Sequence, residues 1–592
     1  MLKALYDYGI RKQLALPAGY DGKRIKAYIS LSDDLSYVGV HMGDERLVPG
    51  PDIGSLARGK DKSNVLAEKR SVVIPEEQTP KSRFFLDALR SASEYEPLLS
   101  VCVKALEDKE ISEKIRTELD RAKIKAADRV SFMINGISIL ESEDILPWWQ
   151  EYRRELTGGE EKPSALCLIT GQPTAPMTTT TPIQGLNVVG GHASGDALIC
   201  FDKTAFCSYD LKKAANAPVS EEAFSVVKAA LDELLRGAPV LAGMKFVHWF
   251  DREVKDEDDP FLTVDFGYEE DEDDGEDVPT VNEAEKQSEA NKLIKSVKSG
   301  ETPPELRRTS YYILLLTGVS GRVMVRRFDR GNYAELRDNL RLWRSELALI
   351  NPASTDLVKD RKLTARLIKL LKYQKGDSNP FKRLDKELSG VTPFVFNAII
   401  NGGALPDSVA ARSLAYIRSE LLSTDSEQSG RAMPLPDSVA CQWLKVWLMR
   451  KNRKENREVP ILEEYNIALE NSAYHCGGLM AVFAAIQKIA LKDVNAGVVE
   501  RFYASAIQSP ALVIGQLSKL CNHHLDKFES KGLAQYYRNK LTELFCALGT
   551  DIPVTLNLEQ QSYFALGYYQ MGAQLTKKKD KPEQVEEETE EE

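Results

Sequence analysis

Apolar residues recur along this chain with two different periods, and the change of period divides it. Near the N-terminus Leu2, Leu5, Tyr6, Ile10 and Leu14 suit one face of a short helix over residues 2–14. Residues 27–31 and 35–40 alternate apolar with polar, as half-buried strands do. Residues 44–83 lose all period and gain Gly, Pro, Lys and Arg, so a long loop-like region is expected there. Residues 84–155 read mainly as helix. A short apolar run at 165–169 stops at Thr170-Gly171, and 185–206 reads as a glycine-punctuated turn leading into a strand at 197–201. Ser220 to Leu235 has the marks of a helix, with Ser220 as N-cap and Glu221 and Glu222 in its first turn. A strand follows at 245–250.

The best hairpin signal is the pair of β-rich runs 310–317 and 322–328, joined by Gly318-Val319-Ser320-Gly321. From Tyr333 onward the period is helical, with breaks at Ser378-Asn379-Pro380, Pro406-Asp407 and Pro434 to Pro436. Residues 460–574 read as a small helical bundle. The phrase Leu-Pro-Asp-Ser-Val-Ala occurs at 405–410 and 435–440; it is a helix start used twice, too short for a repeat array. The expected class is α+β. A mixed N-terminal region has small β-sheets and long loops; a mainly helical region and a C-terminal helical bundle follow. The expected divisions are 1–155, 156–330 with an acidic linker at 253–289, 331–459, 460–574, and a disordered charged tail at 575–592.

At 592 residues the chain is too long for one ordinary core. No run of about 18 apolar residues occurs, so no membrane span is expected. Residues 1–16 lack the unbroken apolar stretch of a signal peptide. The eight cysteines are scattered without a Cys-x-x-Cys pair, which suits reduced thiols in a cytoplasm. A net charge of -11 speaks against a simple DNA-binding domain. However, much of the acid lies in 253–289 and 583–592, which leaves a body close to neutral with local basic runs. Nucleic acid therefore stays open as a partner.

Enzyme signatures are missing. There is no Gly-Lys-Ser/Thr phosphate loop, no Gly-x-Ser-x-Gly, no His-Glu-x-x-His and no His-Asp pair. The adjacent His523 and His524 point to different helix faces and chelate poorly. The carboxylates at 269–277 lack the spacing of a calcium loop. The chain is expected not to be an enzyme and to carry no cofactor or metal.

Residues 201–220, FDKTAFCSYDLKKAANAPVS, change the picture. Their order of Phe, Ser-Tyr and Asn-Ala-Pro-Val-Ser resembles the signature of the type I-C CRISPR large-subunit family. So do Cys167 to Gly171, Pro182 to Leu186, Gly195 to Ile199, the hairpin Tyr311 to Phe328, Ser518 to Leu525 with its His-His pair, and Phe564 to Tyr569. The matches run in order across most of the chain. Two stretches depart from the family. Met177-Thr-Thr-Thr-Thr-Pro182 stands where it often has a basic Arg-x-His-Pro, and Phe85-Leu86-Asp87 leads into Ser91-Ala92-Ser93 in place of an aromatic phrase.

The resemblance implies a cytoplasmic, non-catalytic subunit of a Cascade surveillance complex. Such subunits recognise the short duplex motif beside a target (the PAM), help open the duplex and form the R-loop, and receive a helicase-nuclease. The implied partners are guide RNA, double-stranded target DNA, the backbone and guide-processing subunits, and a small subunit translated from an internal start, here Met433 or Met449. Duplex contact needs Lys and Arg for phosphates and a few polar groups for base edges. The best local match is 58–83, with Arg58, Lys60, Lys62, Asn64, Lys69, Arg70, Lys81 and Arg83. Asn64 is expected to read a minor-groove edge, and Lys69 and Arg70 to contact phosphate or base. An ordinary solvated loop has the same composition.

Lys212, Lys213 and Asn216 are the candidates for guide RNA or a neighbouring subunit. Lys519, Lys527, Lys531, Arg538 and Lys540 are those for the displaced strand, with Lys445, Arg450, Lys451, Arg453 and Lys454 just upstream. A protein-only scaffold and a nuclease of unrecognised type are the competing classes.

Overall fold

The computed structural model describes residues 1–44, 46–142, 144–157, 164–207, 211–262, 304–354, 356–377, 379–423, 433–491, 497–550 and 552–576. Of the expected linker 253–289 and tail 575–592, residues 263–289 and 577–592 lie outside them, whereas 253–262 are described with Asp259 and Phe261 buried. The chain forms two compact units, residues 1–238 with 316–328, and residues 239–315 with 329–592. No helix among the described residues is long and apolar enough to cross a membrane.

The first unit opens with α1 (Leu2–Arg11) and the strands β1 (Tyr20–Arg24), β2 (Ala27–Leu31), β3 (Val38–Met42) and β4 (Leu47–Pro51). The second expected strand starts later than its pattern, at Val38, because Leu35 takes a φ of 60° in a turn closed by Tyr37 and Ser32. Residues 44–83 are not one loop. They hold β4, a 3-10 turn (Gly54–Arg58), β5 (Glu68–Lys69), α2 (Arg70–Val73) and the start of α3 (Pro80–Ser93). These pieces are too short to show a period.

α4 (Leu99–Glu107), α5 (Lys109–Arg121) and α6 (Ile145–Thr157) confirm the helical reading of 84–155, with one exception. β6 (Arg129–Ile134) runs through the middle of that stretch, and β7 (Ile137–Ser138) turns back on it. β6 is the centre of a five-stranded sheet ordered β3-β2-β6-β5, parallel to β2 with Ile29 opposite Phe132, and antiparallel to β5 with Glu68 opposite Val130. Val130, Phe132 and Ile134 are buried in one core with Phe85, Leu89, Cys102, Trp148 and Trp149.

The short hairpin β8 (Ala165–Leu166) and β9 (Pro173–Thr174) precedes α7 (Glu221–Leu235). Ser220 caps that helix as expected, its hydroxyl accepting from the Ala223 N–H at 3.2 Å. The strand expected at 197–201 is reduced to single bridges, Asp196 to Ile183 and Ala197 to Arg322. Gly190 and Gly191 here lie so close to Gly318 that a Cβ on Gly318 would stand 2.1 Å from the Gly191 Cα. Only glycine permits that approach.

The sheet β10 (Val240–Leu241), β11 (Met244–Phe250), β12 (Ser310–Val319) and β13 (Arg322–Asn332) is ordered by sequence. Its hairpin turns at Ser320 and Gly321, both at positive φ, the geometry that matches strand twist. The second unit continues in helices α8 (Tyr333–Leu347), α9 (Leu363–Ile368), α10 (Pro380–Leu388), α11 (Thr392–Asn401), α12 (Asp407–Leu422), α13 (Ser438–Lys454), α14 (Ser472–Ala490), α15 (Val498–Ala506), α16 (Pro510–Leu525), α17 (Lys531–Leu548) and α18 (Leu558–Thr576).

The five helices described after residue 460 form the expected bundle, but no wall separates them from what precedes. One core runs from Leu241 to Ala573. α14 and α18 touch backbone to backbone: a Cβ on Gly477 would lie 2.0 Å from the Phe564 carbonyl oxygen, and one on Gly567 2.2 Å from that of Tyr474. From α18, the Tyr569 hydroxyl donates to the Ile350 carbonyl at 2.8 Å, and the Tyr563 hydroxyl accepts from Asn452 at 2.7 Å.

α13 is buried on nearly every side, with Trp443 and Trp447 at 1% exposure. Lys445 lies inside with its ammonium on the Ala348 carbonyl. Burial pulls its pKa from 10.5 down to about 8, against the smaller pull of Glu463 and Glu346. Between about pH 8 and 10.5 the unfolded chain holds a proton that the folded chain has released, so stability rises with pH across that window. We expect Lys445→Met to remove the rise and to gain about 2 kcal/mol at pH 7. Urea denaturation at pH 7.5 and 9.5 checks both; an unchanged pH slope in the variant contradicts the assignment.

Candidate nucleic-acid interface

The eight residues of the basic stretch divide into those facing out and those facing in. Asn64 is buried at 7% exposure. Its Oδ1 accepts from the Ile53 N–H at 3.2 Å, and its own N–H donates to Glu68 at 3.1 Å. Its Oδ1 and its N–H are therefore both engaged inside the fold, not turned outward with the lysines. Arg70 is also turned inward. Its guanidinium pairs with Asp120 at 2.6 Å and donates to the Ile124 carbonyl at 2.6 Å, tying α2 to the end of α5. Lys81 donates to the Ala57 carbonyl at 2.8 Å, and the Ser63 hydroxyl donates to the Lys81 carbonyl at 3.1 Å. Both bonds clamp residues 57–63 against the first turn of α3.

What remains outward is Lys60, Lys62, Lys69 and Arg83; Lys62 is half-buried and the other three are exposed. None has an ion-pair partner among the described residues. Arg58 closes the 3-10 turn, and its side chain lies outside the described residues. Lys60 and Lys62 lie on the clamped loop and Arg83 on the first turn of α3, whose unpaired N–H groups add positive potential. Thr79 and Ser82 form a capping box there, with no acidic residue in the first turn.

The base of the loop is strained. Leu66 holds a φ of 62° in a turn closed by the Ala67 N–H on the Val65 carbonyl at 2.7 Å. A leucine there costs on the order of 1–3 kcal/mol. The surroundings fix it, since Val65, Leu66 and Ala67 are all buried and Ser131 donates to the Leu66 carbonyl at 2.8 Å.

At the second candidate site Lys212 and Lys213 are exposed, whereas the Asn216 amide donates to the Leu211 carbonyl at 3.0 Å and shapes its own loop. In the bundle Lys519, Lys527 and Lys531 are exposed without ion-pair partners among the described residues. Arg538 pairs with Asp526 at 3.3 Å, and Lys540 with Glu543 at 2.9 Å. Lys519 and His523 lie four residues apart on the outer face of α16, and Lys527 lies in the turn that follows it.

Four of the five cations upstream are engaged within the fold, Lys445 and Arg450 by burial and Lys451 and Arg453 by ion pairs. Arg450 pairs with Glu346 at 2.7 Å, Arg453 with Glu346 at 2.6 Å and Lys451 with Glu559 at 3.0 Å, and Lys445 is in the core. Only Lys454 of the five is exposed without such a partner among the described residues.

The fold makes one pair that no local motif announces. His248 on β11 and Asp259 meet at 2.6 Å between Nε2 and Oδ2, beside the rings of Phe246 and Phe261 at 5.4 and 4.7 Å. No hydroxyl or thiol is hydrogen-bonded to the other ring nitrogen among the described residues. The pair fastens residues 255–262 to the sheet. No group of three or more metal-ligating side chains occurs among the described residues.

A mixed N-terminal unit followed by a helical unit, with its family phrases in order, is matched by one family across residues 2–576. The chain belongs to the family of the CRISPR-associated protein (Cas_Csd1). Membership makes it a subunit of the type I-C Cascade, a complex of CRISPR-associated proteins built on a guide RNA for antiviral defence. No curated protein matches the chain.

Proposed function

We propose that this chain is the non-catalytic large subunit that recognises the PAM of double-stranded target DNA, supports duplex opening and R-loop formation, and recruits the helicase-nuclease. The observation that carries the reading is the clamped loop at 57–63, which presents Lys60 and Lys62 beside Arg83 at a helix N-terminus. A solvated linker has no reason to spend Ser63, Asn64, Glu68 and Lys81 on holding its shape. Phosphate contacts from such a surface position a duplex, and small shifts in its fit sense the flank. Lys212 and Lys213 suit the guide RNA or a neighbouring subunit. Lys519 on α16, Lys527 in the turn after it and Lys531 suit the displaced strand.

Co-expression with neighbouring subunits and a guide array tests the reading. The chain is expected to elute with a discrete guide RNA, and the complex to bind a flank-bearing duplex with strong salt dependence and a scrambled flank far less. Elution without RNA would favour a protein-only scaffold. Metal-dependent cleavage by the chain alone would favour a nuclease.

A further inference from the structure

We infer that Glu68 is the positioning residue of the basic loop, a lock that holds Lys60 and Lys62 in place without touching DNA itself. Glu68 is a carboxylate at 7% exposure with no cation partner among the described residues. Its two oxygens instead accept backbone N–H groups, Asn64 at 3.1 Å and Lys69 at 2.8 Å. A buried carboxylate is retained only when such bonds compensate its desolvation. The strand pairing of Glu68 with Val130 fixes its backbone to the sheet, so the side chain reaches back from a rigid edge.

From there the bonds run in series. Glu68 holds the Asn64 N–H, and the Asn64 side chain holds the Ile53 N–H at 3.2 Å. Ile53 and Asn64 are the two ends of the segment that carries Lys60 and Lys62. Closing the ends of a loop removes most of the freedom its tip would have to give up on binding. The strained turn at Leu66 lies between Asn64 and Glu68 and is bridged by the same bond. Loss of the Glu68 carboxylate therefore frees the loop, while burial and the Ser131 bond still hold the turn at Leu66.

The inference rests on the loop being DNA-facing, and the test separates the two. Hydrogen exchange on the intact chain is the first readout. Glu68→Ala is expected to speed exchange of the amides from 54 to 64 and of Lys69 by on the order of tenfold, with α8–α18 unchanged. Asn64→Ala is expected to free the loop while leaving the Lys69 amide protected. Unaltered exchange in Glu68→Ala overturns the lock.

The second readout is duplex binding by the assembled complex. Glu68→Ala is expected to weaken binding about tenfold in the parent, and to have no further effect once Lys60 and Lys62 are alanine. Equal loss in both backgrounds also overturns the lock, since Glu68 would then act elsewhere. If Lys60→Ala with Lys62→Ala leaves binding untouched while exchange responds as expected, the lock stands and the DNA-facing reading falls.

Discussion

Replacing Lys60, Lys62 and Arg83 together with alanine is expected to weaken binding of the complex to a flank-bearing duplex by on the order of a hundredfold at 0.1 M salt. Each charge-assisted hydrogen bond to phosphate at a solvated surface is worth about 1 kcal/mol, and three of them are removed. The salt dependence gives a sharper reading. Each phosphate bound contributes about 0.9 to the slope of log K against log salt, so a slope lower by about 2.7 means that all three engage phosphates. All three turn outward without ion-pair partners among the described residues, so their removal costs the fold little. Lys104, Lys109 and Lys114, exposed on α4 and α5, make the control. If that control triple weakens binding as much, the loop has no special role and only net charge counts.

Glu346→Ala is expected to destabilise the second unit by about 3–5 kcal/mol. Glu346 is at 0% exposure and receives both Arg450 and Arg453. Arg450 is itself buried at 2%, with its guanidinium over the Trp343 ring and its Nη1 on the carbonyls of Ala398 and Gly403. Taking away the carboxylate leaves a guanidinium in the core with carbonyl partners and no counter-charge. Breaking such a pair from one side costs about 3–5 kcal/mol, a large part of the roughly 5–15 kcal/mol that a whole protein holds. Denaturation followed by tryptophan fluorescence reads the loss, because Trp343 and Trp443 lie against the pair's helices. Glu346→Ala with Arg450→Met is expected to recover most of it, since no charge then stays behind. A single variant within about 1 kcal/mol of the parent would show that water reaches Arg450.

The parts of the fold that are legible in the sequence are those decided by neighbours in the chain. Ser220 caps its helix and Ser320-Gly321 turns its hairpin because the groups involved lie within a few residues. β6 escapes a reading by period because its partners, residues 27–31 and 68–69, come from far away, although Val130, Phe132 and Ile134 do alternate. Asn64 conceals its burial for a related reason. Among lysines and glycines it looks like a solvated polar group, and its partner Ile53 is eleven residues off. The apolar triplet Val65-Leu66-Ala67 beside it is the available signal that this part of the loop turns inward. Arg450 carries a signal too. Trp443, Leu444, Val446, Trp447 and Leu448 leave α13 no polar face, so a cation there has to find its counter-charge inside. Lys60, Lys62 and Arg83 are legible as candidates, but their grouping is not, because it depends on Lys81 and Ser63 bonding across the loop.

The burial of α18 also sets an order of events during synthesis. The helix that fills the centre of the second unit is the last of the described helices to leave the ribosome, while the strands and helices it packs on begin near residue 240. At about 5–20 residues per second, the apolar faces of α13 and α14 wait on the order of ten seconds for their partner to emerge. The five-stranded sheet of the first unit needs no such wait, since its strands and the helices packed on it are complete once residue 157 is out. A nascent chain of this protein is therefore half folded and half sticky for seconds at a time, and chaperone occupancy is expected to track residues 438–490.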